Sequence, residues 1–272
     1  MRTSVNLVPI QSSSPKGTHT MQITDTAALV TGGASGLGGA TAKALAAKGA
    51  RVFALDLAPS IEKAEQVDGI TYVEADVTDV EQVEAAVATA AGSGVPLRTV
   101  VNCAGIGPSA RILSKKGRHD LALYAKVVQI NLIGSFNVLT IAAEAIAKTE
   151  PLEDGARGVI VNTASIAAFD GQIGQVAYSS SKGGIVGMTL PAARDLASHG
   201  IRVLTIAPGI VDTPMLATVS DDFRAALAAG VPFPKRLARP DEYAQLALSL
   251  IDHDYLNGEV VRMDGSLRMA PR

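Results

Sequence analysis

The chain has no tryptophan and only one cysteine, Cys103, so no internal disulfide can form. Aromatic residues make up 4% of its 272 positions, which leaves a core of aliphatic and small side chains. There is no excess of either charge. Twenty-four basic residues stand against 26 acidic ones, which argues against nucleic-acid binding and against docking on an anionic membrane. The histidines, His19, His119, His199 and His253, have no Cys or His partner at ligand spacing, so no metal site is expected. No uninterrupted apolar run reaches the roughly 18 residues of a membrane span.

What remains is rich in alanine and glycine, which lets helices sit close on a sheet. The length suits one large domain, which buries about three quarters of the surface exposed by its unfolded chain. The first 24 residues contain no acid, several Ser and Thr, and two basic residues, Arg2 and Lys16. Residues 1–20 read as a disordered tail or leader, with an alternative start at Met21 and the domain over 21–272. A cytoplasmic location is expected, or a mitochondrial one if the leader is a transit peptide.

From Thr26 onward, short β-rich apolar runs alternate with amphipathic stretches. Strands are predicted at Ala27–Thr31, Arg51–Asp56, Thr71–Ala75, Thr99–Asn102, Gly158–Thr163, Arg202–Ala207 and Glu259–Met263. Helices are predicted over 37–48, 79–91, 120–148, 176–198 and 240–252, with a kink at Pro191. Continuously apolar strands separated by helices predict an α/β fold: a doubly wound parallel sheet of about seven strands, covered on both faces.

The first predicted strand runs into Thr31-Gly32-Gly33-Ala34-Ser35-Gly36-Leu37-Gly38 and then a helix. Glycines permit a tight turn and let a pyrophosphate approach the backbone. The helix N-terminus then presents free N–H groups and a positive dipole end. In that context the loop reads as the dinucleotide site of a Rossmann-type domain. Asp56 ends the second strand, where a carboxylate accepts ribose hydroxyls and repels a 2′-phosphate. No Arg or Lys lies in 32–38, so NAD is favoured over NADP. Asp76-Val77 would flank the adenine, and Asn102-Cys103-Ala104-Gly105 would pack beside the cofactor. The turn Pro208-Gly209, followed by Val211 and Thr213, would meet the nicotinamide end.

Tyr178 is the one tyrosine with a lysine, Lys182, four residues later, which puts both on one helical face. Ser165 ends the fifth strand, and Asn131 lies in the preceding helix. Hydride transfer needs a group that exchanges the alcohol proton. A phenol of pKa about 10 is a poor base unless a neighbouring ammonium lowers it. Ser165 would hold the substrate oxygen, and Asn131 would anchor a water linking Lys182 to solvent.

The order TGGASGLG, Asp56, NCAG, Asn131, Ser165, YSSSK and APG, from about Met21 to the end, resembles the short-chain dehydrogenases. The stretches 162–172 (NTASIAAFDGQ), 178–196, 231–234 (VPFP) and 256–265 (LNGEVVRMDG) are similar to members that act on 3-hydroxyacyl-CoA. The resemblance implies NAD-linked oxidation of such esters, some activity on hydroxysteroids, and a homotetramer. It also implies Ser165, Tyr178 and Lys182 as the catalytic set and Gln175 as a substrate contact. Ser35, Leu37, Asp56, Asp76, Val77, Cys103 and Thr213 would contact the cofactor. The segments 107–125 and 211–230 match only loosely, and these are the segments that should select the substrate.

Read directly, residues 212–236 carry Met215, Leu216, Phe223, Leu227, Val231 and Phe233 between polar positions. They suit either a lid with an apolar underside or a helix packed on the core. Arg111, Lys115, Lys116 and Arg118 would meet the phosphates of a CoA handle at the cleft rim, or form a solvated loop. The alternatives are a hydroxysteroid or other secondary-alcohol dehydrogenase, a ketoreductase, and a cofactor-sensing scaffold without catalysis. Tyr178 and Lys182 together argue against the scaffold.

Overall fold

The computed structural model describes residues 21–115, 117–216 and 220–271. Residues 1–20, expected to form a tail or leader, lie outside them. The elements run β1 (Ala27–Thr31), α1 (Gly36–Ala47), β2 (Arg51–Asp56), α2 (Ala58–Ile61), β3 (Ile70–Glu74), α3 (Val80–Ala91) and β4 (Leu97–Asn102). After β4 come a short hairpin, β5 (Leu113–Ser114) and β6 (Gly117–Arg118), and then α4 (Leu121–Val128). A π-helical turn, Gln129–Ile133, leads into α5 (Gly134–Ala147) and β7 (Gly158–Thr163). The chain closes with α6 (Val176–Leu196), β8 (Ile201–Pro208), α7 (Asp221–Ala229), α8 (Pro240–Asp252) and β9 (Val260–Met263).

Seven strands form one parallel sheet in the order β3-β2-β1-β4-β7-β8-β9. The alternation of side chains along each strand supplies two cores. Leu29, Val100, Ile160 and Val203 point to one face, where they meet α3, α5 and α6. Val30, Val101, Val161 and Leu204 point to the other, under α1 and α8. Strand order reverses between β1 and β4, so the loops after these two strands diverge and open a crevice at the carboxyl edge of the sheet.

Strand and helix limits differ from expectation by a few residues, with β3 starting at Ile70, β4 at Leu97 and β9 at Val260. α6 continues through Pro191 as one helix. Packing of Ile185, Thr189 and Ala193 against the sheet holds it on both sides of the proline. Leu121–Ala147 is, among the described residues, a run long and apolar enough to cross a membrane. Here Val138, Leu139, Ala142 and Ile146 are buried against the sheet. α2 and the hairpin had no periodic signal in sequence, because each is too short to carry an apolar face, whereas α7 falls in 212–236, read as a lid or a packed helix.

Candidate active site

The glycine turn after β1 is shaped by close approach. Gly32 has φ +63°, and a side chain there would meet the Ala104 backbone at 3.0 Å. A side chain on Gly38 would run into the Gly32 carbonyl. Ser35 caps α1 in extended geometry without a side-chain hydrogen bond, so the hydroxyl does not cover the first-turn N–H groups. Gly36 faces Thr213: a Cβ built on it would stand 3.7 Å from the Thr213 Cβ, which places Thr213 across the mouth of the turn. Leu37 packs into the core beneath.

Asp56 lies beside the turn. One oxygen accepts the Ala34 amide hydrogen at 3.1 Å and the other that of Leu57 at 2.9 Å. A carboxylate has about four lone-pair positions, so acceptor capacity is left for hydroxyls. Asp76 is engaged locally: its Oδ1 accepts from both the amide and the hydroxyl of Thr78. Val77 is buried against Gly134. Opposite, Cys103 and Ala104 donate their amides to Thr31 Oγ1 at 3.0 and 3.1 Å, pinning the loop after β4 to the end of β1. Gly209, after Pro208, donates its amide to Met263 O, and Val211 is buried and bridged to Ala238. These positions line the crevice at the strand ends and leave a cradle that a side chain would fill, which suits a dinucleotide.

Ser165, Tyr178 and Lys182 come together beside Gly105. The Ser165 hydroxyl lies near enough to the Tyr178 phenol to favour its ionised form. Ser165 Oγ accepts the Ala167 amide at 3.1 Å, which fixes its rotamer. Lys182 is buried; its Nζ sits 5.8 Å from the centre of the Tyr178 ring and donates to Thr163 O at 2.8 Å. Burial brings the Lys182 ammonium down to about 8. Burial also pushes the Tyr178 phenol up, and the Ser165 hydroxyl partly offsets this. In the protein alone, therefore, the lysine does not overcome desolvation of the phenol, contrary to the simple expectation from their spacing.

The Oδ1 of Asn131 accepts the Ile106 amide at 2.8 Å, and its Nδ2 donates to Ile106 O and to Ser181 Oγ. The side chain ties the loop after β4 to α6, on the same side of Gly105 as Lys182. Its π-turn is what aims it there. Asn102 donates to Asn162 at 2.9 Å, joining the ends of β4 and β7 beneath the site.

Gln175 caps α6 and turns its Oε1 back onto the Gln172 amide at 2.9 Å. A cavity of about 440 Å³ lies next to it, between Ala110–Leu113 and Gly171–Gly174. Arg111 is on its wall, and the exposed Lys115 and Arg118 follow in the hairpin. α7 has no buried residue, and Phe223 is exposed, whereas Val231 packs on Ile166 and Leu267. α7 is thus loosely seated, and Val231, just after it, is a buried apolar anchor. The Met215 side chain lies outside the described part.

Sequence spacing did not reveal Thr163, Ser181 or Tyr243. Tyr243 comes from α8, 80 residues beyond Thr163, yet its hydroxyl is 2.6 Å from Thr163 Oγ1. Only the periodicity that buries it was legible.

Residues 26–223 match the family model described as short chain dehydrogenase. The chain is 50% identical over 250 residues to the 3-hydroxyacyl-CoA dehydrogenase type-2 of Bos taurus, covering 90% of this chain and 95% of that one. It is 50% identical over 254 residues to the protein of the same name from Drosophila melanogaster, covering 92% and 100%. A crystal structure of 3-hydroxyacyl-CoA dehydrogenase type-2 from Mycobacterium avium superposes with a TM-score of 0.87 at 43% identity, covering 91% of this chain and 98% of that one.

Proposed function

The chain belongs to the short-chain dehydrogenase family and is an oxidoreductase that uses a nicotinamide cofactor; from that premise we propose that it oxidises 3-hydroxyacyl-CoA to 3-oxoacyl-CoA with NAD. The observation that carries this reading is the meeting of Ser165, Tyr178 and Lys182 at the strand ends, in a chain half identical to enzymes named for that substrate. Asp56 supports NAD over NADP, because its charge would face a 2′-phosphate with no cation in the turn to receive it.

Ser165 Oγ and Tyr178 Oη would both hold the substrate hydroxyl oxygen. Tyr178 takes the hydroxyl proton as the carbinol C–H bond breaks. When bound, an oxidised nicotinamide would supply the hydride acceptor and a positive charge that would favour the phenolate burial opposes. Lys182, held by the Thr163 carbonyl, adds a second positive charge near the ring. Asn131 and Gly105 keep the loop and the lysine in register. Gln175 borders the substrate side from the start of α6.

The cavity between Ala110–Leu113 and Gly171–Gly174 supports an extended ester, whose phosphates Arg111 on its wall would meet, with Lys115 following in the hairpin. A homotetramer is supported by Leu121, Tyr124, Ile133 and Phe136, which are exposed apolar residues along α4–α5. On α6, Gly183 and Gly187 have open space where a side chain would stand, which lets another helix approach closely. Near-zero net charge supports a small-molecule partner rather than nucleic acid or a membrane surface.

The test is NADH formation by purified protein, with a short 3-hydroxyacyl-CoA and a hydroxysteroid offered in parallel. Turnover of the CoA ester is expected, and Tyr178→Phe should lower kcat by about 10²- to 10⁴-fold with NAD still bound. Turnover of the steroid alone would move the protein to the secondary-alcohol reading. Full activity in Tyr178→Phe would overturn the mechanism. NAD binding without turnover of either substrate would favour the scaffold reading.

A further inference from the structure

Behind Lys182 lies a cluster that the mechanism above does not use. Tyr243, the largest fully buried side chain, extends from α8 to the ends of β4 and β7. Its hydroxyl is 2.6 Å from Thr163 Oγ1 and 3.7 Å from Cys103 Sγ, and Thr163 Oγ1 is 3.5 Å from that sulfur. Each of the three groups carries one proton. Cys103 donates to Tyr243 and Thr163 donates to Cys103, so the Tyr243 hydroxyl closes the ring by donating to Thr163. Every donor then has an acceptor, and each bond polarises the next.

Thr163 joins this ring to the site. Its side chain points to the α8 face, with Val159 and Val161, while its carbonyl accepts the Lys182 ammonium from the α6 face. We propose that Tyr243 is a positioning residue for Lys182. Through the hydroxyl ring it holds the Thr163 peptide at the height and tilt that seat the ammonium beneath the Tyr178 ring. This rests on the reading of Tyr178 and Lys182 given above.

The titratable groups facing Lys182 are Tyr178 on its own helix, Cys103 after β4 and, beyond Thr163, Tyr243 on α8. Thr163, Ser165 and Asn131 around it do not titrate. The ring requires Cys103 to be a neutral thiol, and burial holds that thiol above its usual range. If the ring is opened, the Thr163 carbonyl loses its fixed aim. The charged form of Lys182 loses support, and the phenolate of Tyr178 loses a neighbouring positive charge. The phenol should then ionise at higher pH.

Two measurements are needed: the ultraviolet phenolate titration of the protein loaded with NAD, whose positive charge would bring Tyr178 ionisation into the range where Lys182 is still charged, taken as the difference from the same protein carrying Tyr178→Phe, and the pH dependence of kcat. Tyr243→Phe should raise the Tyr178 midpoint by about half a pH unit or more and lower kcat at neutral pH roughly two- to tenfold, the scale of one neutral hydrogen bond. KM for the alcohol should change less than kcat. Thr163→Val, which keeps the carbonyl and the shape, should shift the midpoint in the same direction. The double variant should go no further, since both break one bond. Leu250→Ala, a core deletion elsewhere on α8, should lower Tm and leave the titration in place.

If Tyr243→Phe and Leu250→Ala both lower Tm while neither moves the titration, Tyr243 is structural only and the proposal fails. Additive shifts in the double variant would also overturn it. If Tyr243→Phe does not fold, Thr163→Val decides alone: a moved midpoint supports the proposal and an unmoved one refutes it. Full activity of Tyr178→Phe would instead show that the reading of the site itself had failed.

Discussion

The carboxylate of Asp56 accepts the amide hydrogen of Ala34 at 3.1 Å, so the end of the second strand is tied directly to the glycine turn. The charge therefore stands at a fixed place beside the glycine turn. Replacing Asp56 by Ser and the exposed neighbour Leu57 by Arg exchanges repulsion of a 2′-phosphate for attraction. The ratio of kcat/KM for NAD over NADP should fall at least about tenfold. Equal use of both cofactors by the wild type would refute the role given to this carboxylate.

Lys182 keeps a buried ammonium whose pKa falls from 10.5 to about 8 on folding. Between these values the unfolded chain binds more protons than the folded one, so stability should rise with pH across that window. At neutral pH the charge costs about 3 kcal/mol relative to a neutral amine. Lys182→Met should therefore lose activity and yet melt no lower, or higher, than wild type at pH 7. The advantage should shrink as pH rises past 8, with loss of the bond to the Thr163 carbonyl setting the remainder. Melting curves at both ends of the window check this, and a variant less stable at pH 7 than at pH 10 relative to wild type would contradict it.

The cavity between Ala110–Leu113 and Gly171–Gly174 predicts a substrate-specific effect of its basic rim. Arg111→Ala combined with Lys115→Ala should raise KM for a 3-hydroxyacyl-CoA severalfold, as expected when exposed charges that meet phosphates are removed. KM for a hydroxysteroid should not change, and the effect on the CoA ester should fade at high salt. Equal increases for both substrates would mean that the loop supports the fold rather than the CoA handle.

The parallel sheet was legible because strands such as AALVT and GVIVNT are apolar at every position, which only burial on both faces explains. The glycine turn, Asp56 and the Tyr178–Lys182 pair were legible for a local reason: each depends on spacing within one turn or one helix face. The helix was expected to continue past Pro191 and does, because packing against the sheet outweighs one missing bond. The two-residue strands of the hairpin left no periodic trace.

By itself, then, the sequence determined the sheet, the glycine turn and the spacing that sets Tyr178 and Lys182 on one helix face, since periodicity and short-range spacing encode them. Only the tertiary structure decided the environment of that pair. Burial, not the neighbouring charge, dominates the Tyr178 phenol; Asn131 is turned onto Ile106; and Tyr243 reaches Thr163 from a distant helix. Those outcomes depend on which strand ends and helix faces converge, and desolvation and hydrogen bonding act across that convergence rather than along the chain.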